Sequence, residues 1–311
     1  MKTVIVLALL IQAPAPSGPR SFAHVDYRWL DGARRREIAV RVWTPVPSDS
    51  GTRPVIIFAP GAGTSASAYT AKVEDLASHG YIVVAEDSPG EMPRCSPPPG
   101  SPYDEMVEVG MRCLRDRADV VAADMRFVID QIAKEFDITR LAAVGHSLGG
   151  FAALRACQQD ARIRACVNED GGTADGVFLN FPGAVAPKQP VLYVEASVPT
   201  PSDQQLAANG ITRDEWTRRL GRMVNVVHEQ QMRSSGSGSY KVSLHAPGLT
   251  HASFGDAYLA AATPEAREMA LHNLELCDEV TRAFLDKHLK GSAGTLLDDP
   301  AGRPEVSVKR Y

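Results

Sequence analysis

The hexapeptide at residues 145–150, Gly-His-Ser-Leu-Gly-Gly, constrains the fold of this chain more than any other feature. An apolar run at residues 141–144 precedes it, and a helical run at residues 148–158 follows. A sharp turn from a buried strand into a helix forces its central residue, Ser147, into a strained backbone and leaves no room for side chains at the flanking glycines. It also presents the hydroxyl at a helix N-terminus, where developing negative charge is favoured. The pattern predicts a nucleophilic serine, against the alternative of a glycine-rich turn with an inert serine.

Short apolar runs alternate with helical segments along most of the chain. Seven runs predict strands, at residues 38–43, 55–59, 82–85, 141–144, 165–167, 191–194 and 240–244. Several are unbroken, which is typical of strands buried on both faces of a parallel sheet. Residues 25–30 predict an antiparallel edge strand beside residues 38–43. With the turn at Ser147, this alternation predicts an α/β protein with the α/β-hydrolase fold, in which helices cover both faces of a mostly parallel sheet.

Apolar residues at helical spacing predict two long helices. The first covers residues 115–135, and the second begins after the N-cap Thr263, with Pro264 at its first position. A shorter helix begins at Thr212, with a glutamate three residues later, the spacing of a capping box. It belongs to residues 197–239, a helical insertion before the last predicted strand. This insertion is interpreted either as a lid over the site or as a surface helix on the sheet edge.

The length of 311 residues, with 44% hydrophobic and 23% charged residues, fits one large α/β domain or two smaller ones. We expect this domain at residues 24–290, followed by a loop-rich tail at residues 291–311. Residues 1–23 contain a basic residue, an apolar run and a small, proline-rich stretch, the order found in secretory signals. The segment therefore predicts a signal peptide and export to the periplasm or the medium. If the apolar run is instead a first strand, a cytoplasmic location is expected.

Charge and cysteine content argue against several partners. The net charge of −4 gives no sign of a nucleic-acid-binding surface, and no apolar run in the body of the chain reaches the roughly 20 residues of a membrane span. No cysteine pair has metal-site spacing, and we expect neither a metal nor an organic cofactor. Cys95 and Cys113 flank a proline-rich loop and could pair in an oxidising compartment. Cys157, Cys166 and Cys277 fit small buried residues in apolar segments.

A nucleophilic serine requires a base, and histidine accepts and returns a proton near neutral pH. In this fold the chain order is serine, acid, histidine, so the base lies after Ser147. His251, in a loop after the last predicted strand, is the preferred candidate. His245, at the end of that strand, is the second.

The acid must hold the imidazole in the correct tautomer. Asp170 follows the strand next after the nucleophile strand, at the carboxyl edge where open α/β sheets form their sites. Strand alternation turns its neighbour Glu169 to the opposite face. Glu195 and Asp203 are rivals, because many hydrolases of this fold place the acid after the following strand.

Two backbone amides must face the oxyanion of a tetrahedral intermediate. Leu148, directly after the nucleophile, supplies one of them. The second is expected from residues 60–63, Pro-Gly-Ala-Gly, whose glycines let the chain approach a substrate closely. Ala62 is the preferred donor, with either neighbouring glycine as the alternative.

Four segments resemble the plasma-type platelet-activating factor acetylhydrolase family and the wider group of dienelactone-hydrolase-like and bacterial polyester-hydrolysing enzymes. They are residues 56–63, 77–85, 145–150 and 251–254, and the resemblance covers residues 55–284. It implies Asp170 as the acid, His251 as the base and Ala62 as the second oxyanion donor. The chain departs from the family at Pro60, where members often carry histidine, and in its longer insertion.

These features predict a serine carboxylic-ester hydrolase that acts through an acyl-enzyme, with Ser147, His251 and Asp170 as its triad. The expected partner is a small-molecule or lipid-like ester, and short-acyl or lipid-like esters are the expected substrates. Alternative substrates are a polyester, an amide or a lactone. An alternative of another class is a catalytically silent binding protein with a hydrolase fold, although such proteins usually lack one member of the triad.

Overall fold

A computed structural model describes residues 14–47, 52–87, 103–171, 186–196, 202–208, 210–221, 228–293 and 295–311. Within these residues nine strands form one sheet. In chain order they are β1 Ser21–Asp31, β2 Arg36–Val46, β3 Val55–Ala59, β4 Ile82–Asp87, β5 Leu141–His146, β6 Ile163–Glu169, β7 Val191–Ala196, β8 Tyr240–Leu244 and β9 Val306–Arg310. The described α-helices are α1 Thr70–Ser78, α2 Tyr103–Ile132, α3 Leu148–Gln159, α4 Asp203–Ala208, α5 Arg213–Gly221, α6 His228–Ser234 and α7 Pro264–Leu285.

The sheet has the strand order β1-β2-β4-β3-β5-β6-β7-β8-β9. The six strands from β4 to β8 in this order run parallel, whereas β1 and β2 form an antiparallel pair at one edge. This confirms the predicted fold class and the predicted edge strand. Because parallel strands share a direction, their carboxyl ends meet at one edge of the sheet. The segments that follow β3, β5, β6 and β8 therefore converge there.

Helices cover both faces of the sheet. On one face α2 and α3 contribute Met125 and Phe151 to a core that includes Ile57. On the other face α1 and α7 contribute Val73 and Phe284 to a core around Phe58. The central strands are thus buried on both sides, which explains why they read as unbroken apolar runs.

The two long helices differ in how well their starts were predicted. α7 begins as expected, since the Thr263 side chain accepts a hydrogen bond of 3.2 Å from the Ala266 amide and Pro264 takes the first position. α2 begins at Tyr103, twelve residues before the predicted start. The earlier turns lack a clean apolar stripe, so the sequence pattern does not reveal them. Residues 103–114 contain no proline, and extending an existing helix costs less free energy than starting a new one. Among the described helices, none combines the length and apolar character needed to cross a bilayer.

The end of the chain differs from the predicted loop-rich tail. Residues 306–310 form β9, which pairs antiparallel with β8, so β8 is not the last strand and the insertion precedes the last two strands. Val306 is buried and Val308 packs against the core, while the exposed Lys309 and Arg310 give this short edge strand the charged character that opposes further pairing. The run is too short, and too close to Pro304, to stand out in the sequence.

The structure describes the predicted boundary between residues 23 and 24, and it describes part of the predicted insertion at residues 197–239. β1 begins at Ser21, so the first boundary lies within a strand, and the apolar run at residues 3–11 lies outside the described residues. In the insertion, the Thr212 hydroxyl accepts a hydrogen bond of 3.2 Å from the Glu215 amide at the start of α5. The helix start expected at Thr212 is therefore confirmed.

Three of the four described cysteines are disulfide-bonded. Cys157, near the end of α3, and Cys166, on β6, are buried as expected, and they form a disulfide that the sequence did not predict. The contact between α3 and β6 brings their Cα atoms to 6.4 Å, within disulfide range, which spacing alone does not reveal. Cys113 is disulfide-bonded, and its predicted partner Cys95 lies outside the described residues. Cys277 is free and buried, as expected.

Candidate active site

Ser147 occupies a strained turn between β5 and α3. Its φ of 56° and ψ of −120° lie in a region of backbone conformation that residues other than glycine rarely adopt. A Cβ at Gly145 would lie 2.3 Å from the Gly149 carbonyl carbon, and one at Gly149 would lie 2.0 Å from the Ala59 carbonyl oxygen. Both glycines are therefore required, as the sequence predicts. The half-buried Ser147 lies at the N-terminus of α3, and its amide binds the Glu169 carbonyl at 2.9 Å.

The structure brings His251 and Asp170 into direct contact. Nδ1 of His251 lies 2.6 Å from Oδ2 of Asp170. Asp170 follows β6 with a φ of 52°, and its other carboxylate oxygen accepts a hydrogen bond of 3.1 Å from the Ala196 amide. His251 begins a short 3₁₀ turn that Thr250 and Ser253 cap reciprocally. The Ala196 amide thus fixes the Asp170 carboxylate, the capped turn fixes the His251 backbone, and the two side chains bind each other.

His251 lies beside the turn that holds Ser147. Its ring centroid is 4.5 Å from that of His146, the residue before Ser147. Among the described residues the Ser147 hydroxyl has no hydrogen-bond partner, and in enzymes without bound substrate such bonds are often long or unformed. The His251 side chain is 54% exposed, against 16% for Asp170. The imidazole can therefore exchange protons at the surface while its partner stays shielded.

The rival candidates are directed to other partners. Glu195 accepts a hydrogen bond of 2.5 Å from Ser243 and forms an ion pair with Lys241, both on β8. Asp203 forms an ion pair with Arg213 in the insertion. His245 lies 3.2 Å from the hydroxyl of Ser307 on β9. Of the acids considered, Asp170 is the one that contacts His251.

The segments that carry the two expected oxyanion donors both adjoin Ser147. Leu148 is the first residue of α3, where amides lack an intrahelical partner. The loop after β3 approaches so closely that a Cβ at Gly61 would lie 3.4 Å from the Ser147 Cβ. The Gly61 amide donates a hydrogen bond of 3.0 Å to the Tyr69 oxygen. This leaves the Ala62 amide, which has no partner among the described residues.

His146 and Tyr69 form a buried pair that the sequence did not reveal. The Tyr69 hydroxyl lies 2.8 Å from Nδ1 of His146, and the His146 ring stacks on Phe254 with centroids 5.4 Å apart. Burial, helped by repulsion from His251 and Lys72, lowers the pKa of His146 to about 3, so its ring is neutral under physiological conditions. Seventy-seven positions separate Tyr69 from His146, and neither belongs to a motif that would have linked them.

Glu169, next to Asp170, points to the opposite face as strand alternation predicts. Its Oε1 binds the Lys72 ammonium at 2.8 Å and the Thr281 hydroxyl at 2.6 Å. Lys72 also binds Asp278 at 2.5 Å. Among the described residues no group of three His, Cys, Asp or Glu side chains is arranged to hold a metal ion.

The chain is similar to one known family and to several known proteins. The sequence model of the Alpha/beta hydrolase family matches residues 56–302. A probable 1-alkyl-2-acetylglycerophosphocholine esterase from Arthroderma benhamiae is 30% identical over 174 residues, or 53% of this chain and 45% of that protein. A 20-hydroxy-prefusarin hydrolase from Gibberella moniliformis is 36% identical over 137 residues, which are 42% of this chain and 30% of that protein. A platelet-activating factor acetylhydrolase from Canis lupus familiaris is 25% identical over 212 residues, which are 54% of this chain and 46% of that protein.

The matched segments span less than half the length of each of these relatives. Among solved structures, a ferulic acid esterase from Streptomyces cinnamoneus superposes with a TM-score of 0.63. The superposition covers 96% of this chain and 98% of that one, with 24% sequence identity. At this identity the likeness concerns the fold.

Proposed function

This chain belongs to the Alpha/beta hydrolase family, and on that basis we propose that it is a serine hydrolase that cleaves carboxylic esters through an acyl-enzyme. Ser147 is the proposed nucleophile, His251 the base and Asp170 the acid. One observation carries the proposal: the contact of 2.6 Å between His251 and Asp170 lies at the sheet edge, beside the strained turn of Ser147.

The geometry suggests a role for each group. The Ser147 hydroxyl attacks the ester carbonyl as Nε2 of His251 takes its proton. Asp170 binds the other ring nitrogen, which fixes the tautomer and stabilises the imidazolium. The amides of Leu148 and Ala62 bind the negative oxygen. His251 then gives the proton to the leaving alcohol, and it activates the water that releases the acid and restores Ser147.

Removing the nucleophile tests this mechanism. We expect Ser147→Ala to lower the hydrolysis of p-nitrophenyl acetate by at least about 1,000-fold, with an unchanged circular dichroism spectrum. A fluorophosphonate probe should label the wild type and not the variant. As a control, Ser307→Ala removes an exposed serine hydroxyl on β9 and should retain activity and labelling. If Ser147→Ala kept most of its turnover, the mechanism would be wrong, and an unreactive wild type would favour a catalytically silent binding protein.

Short-acyl or lipid-like esters are the proposed substrate class. Two of the relatives are named for acetyl substrates, an acetylglycerophosphocholine esterase and an acetylhydrolase. A panel of p-nitrophenyl esters of graded acyl length should give the highest kcat/KM with the shortest chains. Matched polyester, amide and lactone substrates belong in the same panel. A higher kcat/KM on any of those, or on long acyl chains, would contradict this assignment.

We also propose that the protein is exported. The disulfide between Cys157 and Cys166 and the disulfide-bonded Cys113 favour an oxidising compartment. Cell fractionation of the source organism tests this, with export expected to place the protein in the periplasm or medium. Recovery in the cytoplasm with reduced cysteines would contradict it.

A further inference from the structure

We propose that the hydroxyls of Thr64 and Tyr69 are positioning groups that aim the Ala62 amide at the oxyanion. The inference rests on the proposed ester hydrolysis and adds two residues to it. Both hydroxyls bind Gly61, in the segment 60–64 that we call the oxyanion loop. They hold the two peptide groups that flank this glycine, one on each side.

Thr64 fixes the peptide group between Gly61 and Ala62. Its hydroxyl donates a hydrogen bond of 2.8 Å to the Gly61 carbonyl oxygen, and its amide donates one of 3.2 Å to the same oxygen. The Gly61 carbonyl and the Ala62 N–H belong to one planar, trans peptide group and so point in opposite directions. Two donors that hold the carbonyl on one side therefore direct the Ala62 N–H to the other.

Tyr69 fixes the peptide group before Gly61. The Gly61 N–H donates to the Tyr69 oxygen at 3.0 Å, and the Tyr69 hydroxyl lies 2.8 Å from Nδ1 of His146. Burial raises the pKa of Tyr69 and lowers that of His146 to about 3. Tyr69 therefore keeps its proton and His146 is uncharged, so a hydrogen bond between two neutral groups joins them. The oxyanion loop is thereby tied to the residue that precedes Ser147.

The close packing of the loop makes this alignment consequential. A Cβ at Gly61 would lie 2.9 Å from the Tyr69 oxygen and 3.4 Å from the Ser147 Cβ, so no side chain separates the loop from the nucleophile. Gly63 closes the turn with a φ of 72°, which favours glycine. A donor at such short range loses much of its effect when its direction changes, because hydrogen bonds weaken steeply as they bend.

The test removes each hydroxyl while keeping the side-chain shape. Complete loss of an oxyanion donor costs about 100–1,000-fold in kcat, so we expect the misdirected donor of Thr64→Val or Tyr69→Phe to cost about 10–100-fold. KM should stay within about twofold, because the bond strengthens only in the transition state. The Ki of an alkylboronic acid, which forms a tetrahedral adduct with a serine, should rise by the same factor as kcat falls. Thr64→Ser keeps the hydroxyl and should restore kcat.

Two matched controls separate aiming from simple stabilisation. Thr70→Val removes a hydroxyl that also donates to a carbonyl three residues earlier, Ser67, at 3.0 Å. Tyr81→Phe removes a buried tyrosine hydroxyl that donates to Asp286 at 2.6 Å, before β4 and away from the site edge. Both controls should keep wild-type kcat, whatever they do to the melting temperature.

The inference is overturned if Thr64→Val and Tyr69→Phe keep wild-type kcat. It is also overturned if they alter only KM or the melting temperature, or if the two controls lose kcat equally. Ser147→Ala separates this failure from a failure of the proposed function. Turnover by Ser147→Ala would refute the serine mechanism itself. An inactive Ser147→Ala beside fully active Thr64→Val and Tyr69→Phe would refute only the positioning role.

Discussion

Glu169 and Asp170 are adjacent in sequence, carry the same charge, and belong to two regions with opposite properties. Glu169 belongs to the ion cluster, which we define as Lys72, Glu169, Asp278 and Thr281. Asp170 belongs to the edge site, which we define as Ser147, His251 and Asp170. The Lys72 and Glu169 side chains have no exposed surface, whereas the His251 side chain is more than half exposed. The same kind of acid–base pair is therefore closed to solvent in one region and open in the other.

The difference shows how burial decides what an ion pair can do. In the ion cluster two carboxylates share one ammonium away from water. Burial raises the pKa of Asp278 to about 7. Although burial also disfavours the charged ammonium, attraction to Asp278 and Glu169 raises the pKa of Lys72. Such a cluster joins α1, β6 and α7 and cannot readily exchange partners. The edge site keeps the His251 imidazole accessible, as the proposed proton transfer to a substrate requires.

The largest expected effect is on catalysis at the edge site. Asp170→Asn should lower kcat by about 10,000-fold, because the amide favours the wrong His251 tautomer. The melting temperature should change less than kcat, because His251 is more than half exposed and asparagine keeps an oxygen that can accept a hydrogen bond from the Ala196 amide. Steady-state kinetics and thermal unfolding measure the two quantities. Glu195→Gln, at the rival acid, is the matched variant, and a larger loss of kcat there would reverse the assignment.

The second effect is on stability at the ion cluster. Lys72→Met leaves Glu169 and Asp278 buried without their cation, which should reduce the free energy of unfolding by about 3–5 kcal/mol. Activity per folded molecule should change much less than in Asp170→Asn. Lys287→Met breaks an ion pair with Asp298 that is partly exposed and should cost less than about 1 kcal/mol. Equal losses in urea unfolding would show that burial does not distinguish the two pairs.

The third effect is a pH dependence carried by the ion cluster. Burial raises the pKa of Asp278 from 3.8 to about 7, so the folded protein holds a proton that the unfolded chain releases at lower pH. This group therefore lowers the wild-type free energy of unfolding as pH rises from about 4 to 7, by roughly 2–4 kcal/mol. Asp278→Asn does not titrate, so its stability relative to wild type should increase over that interval. Urea unfolding at pH 4, 5.5 and 7 measures the trend. A stability difference that is constant or falls with pH would contradict it.

Much of the fold could be predicted from local patterns. The strands β3 to β8 contain short apolar or alternating stretches, and α7 carries its own cap at Thr263 and Pro264, so each is specified by contiguous residues. β9 could not be predicted with the same means, because a five-residue edge strand pairs with β8 across more than 60 positions. The disulfide between Cys157 and Cys166 likewise depends on how α3 packs on β6.

The sequence by itself determined the strained turn at Ser147, since glycines at 145 and 149 are the residues that the close backbone contacts allow. It also determined the order of Ser147, Asp170 and His251 along the chain. The tertiary structure decided which acid meets His251, by turning Glu195 toward β8 and Glu169 into the ion cluster. It also decided that the Gly61 amide binds Tyr69, whereas the Ala62 amide has no partner within the described part of the chain. Local patterns depend on neighbours a few residues apart, whereas these choices depend on contacts between segments that meet only when the sheet forms.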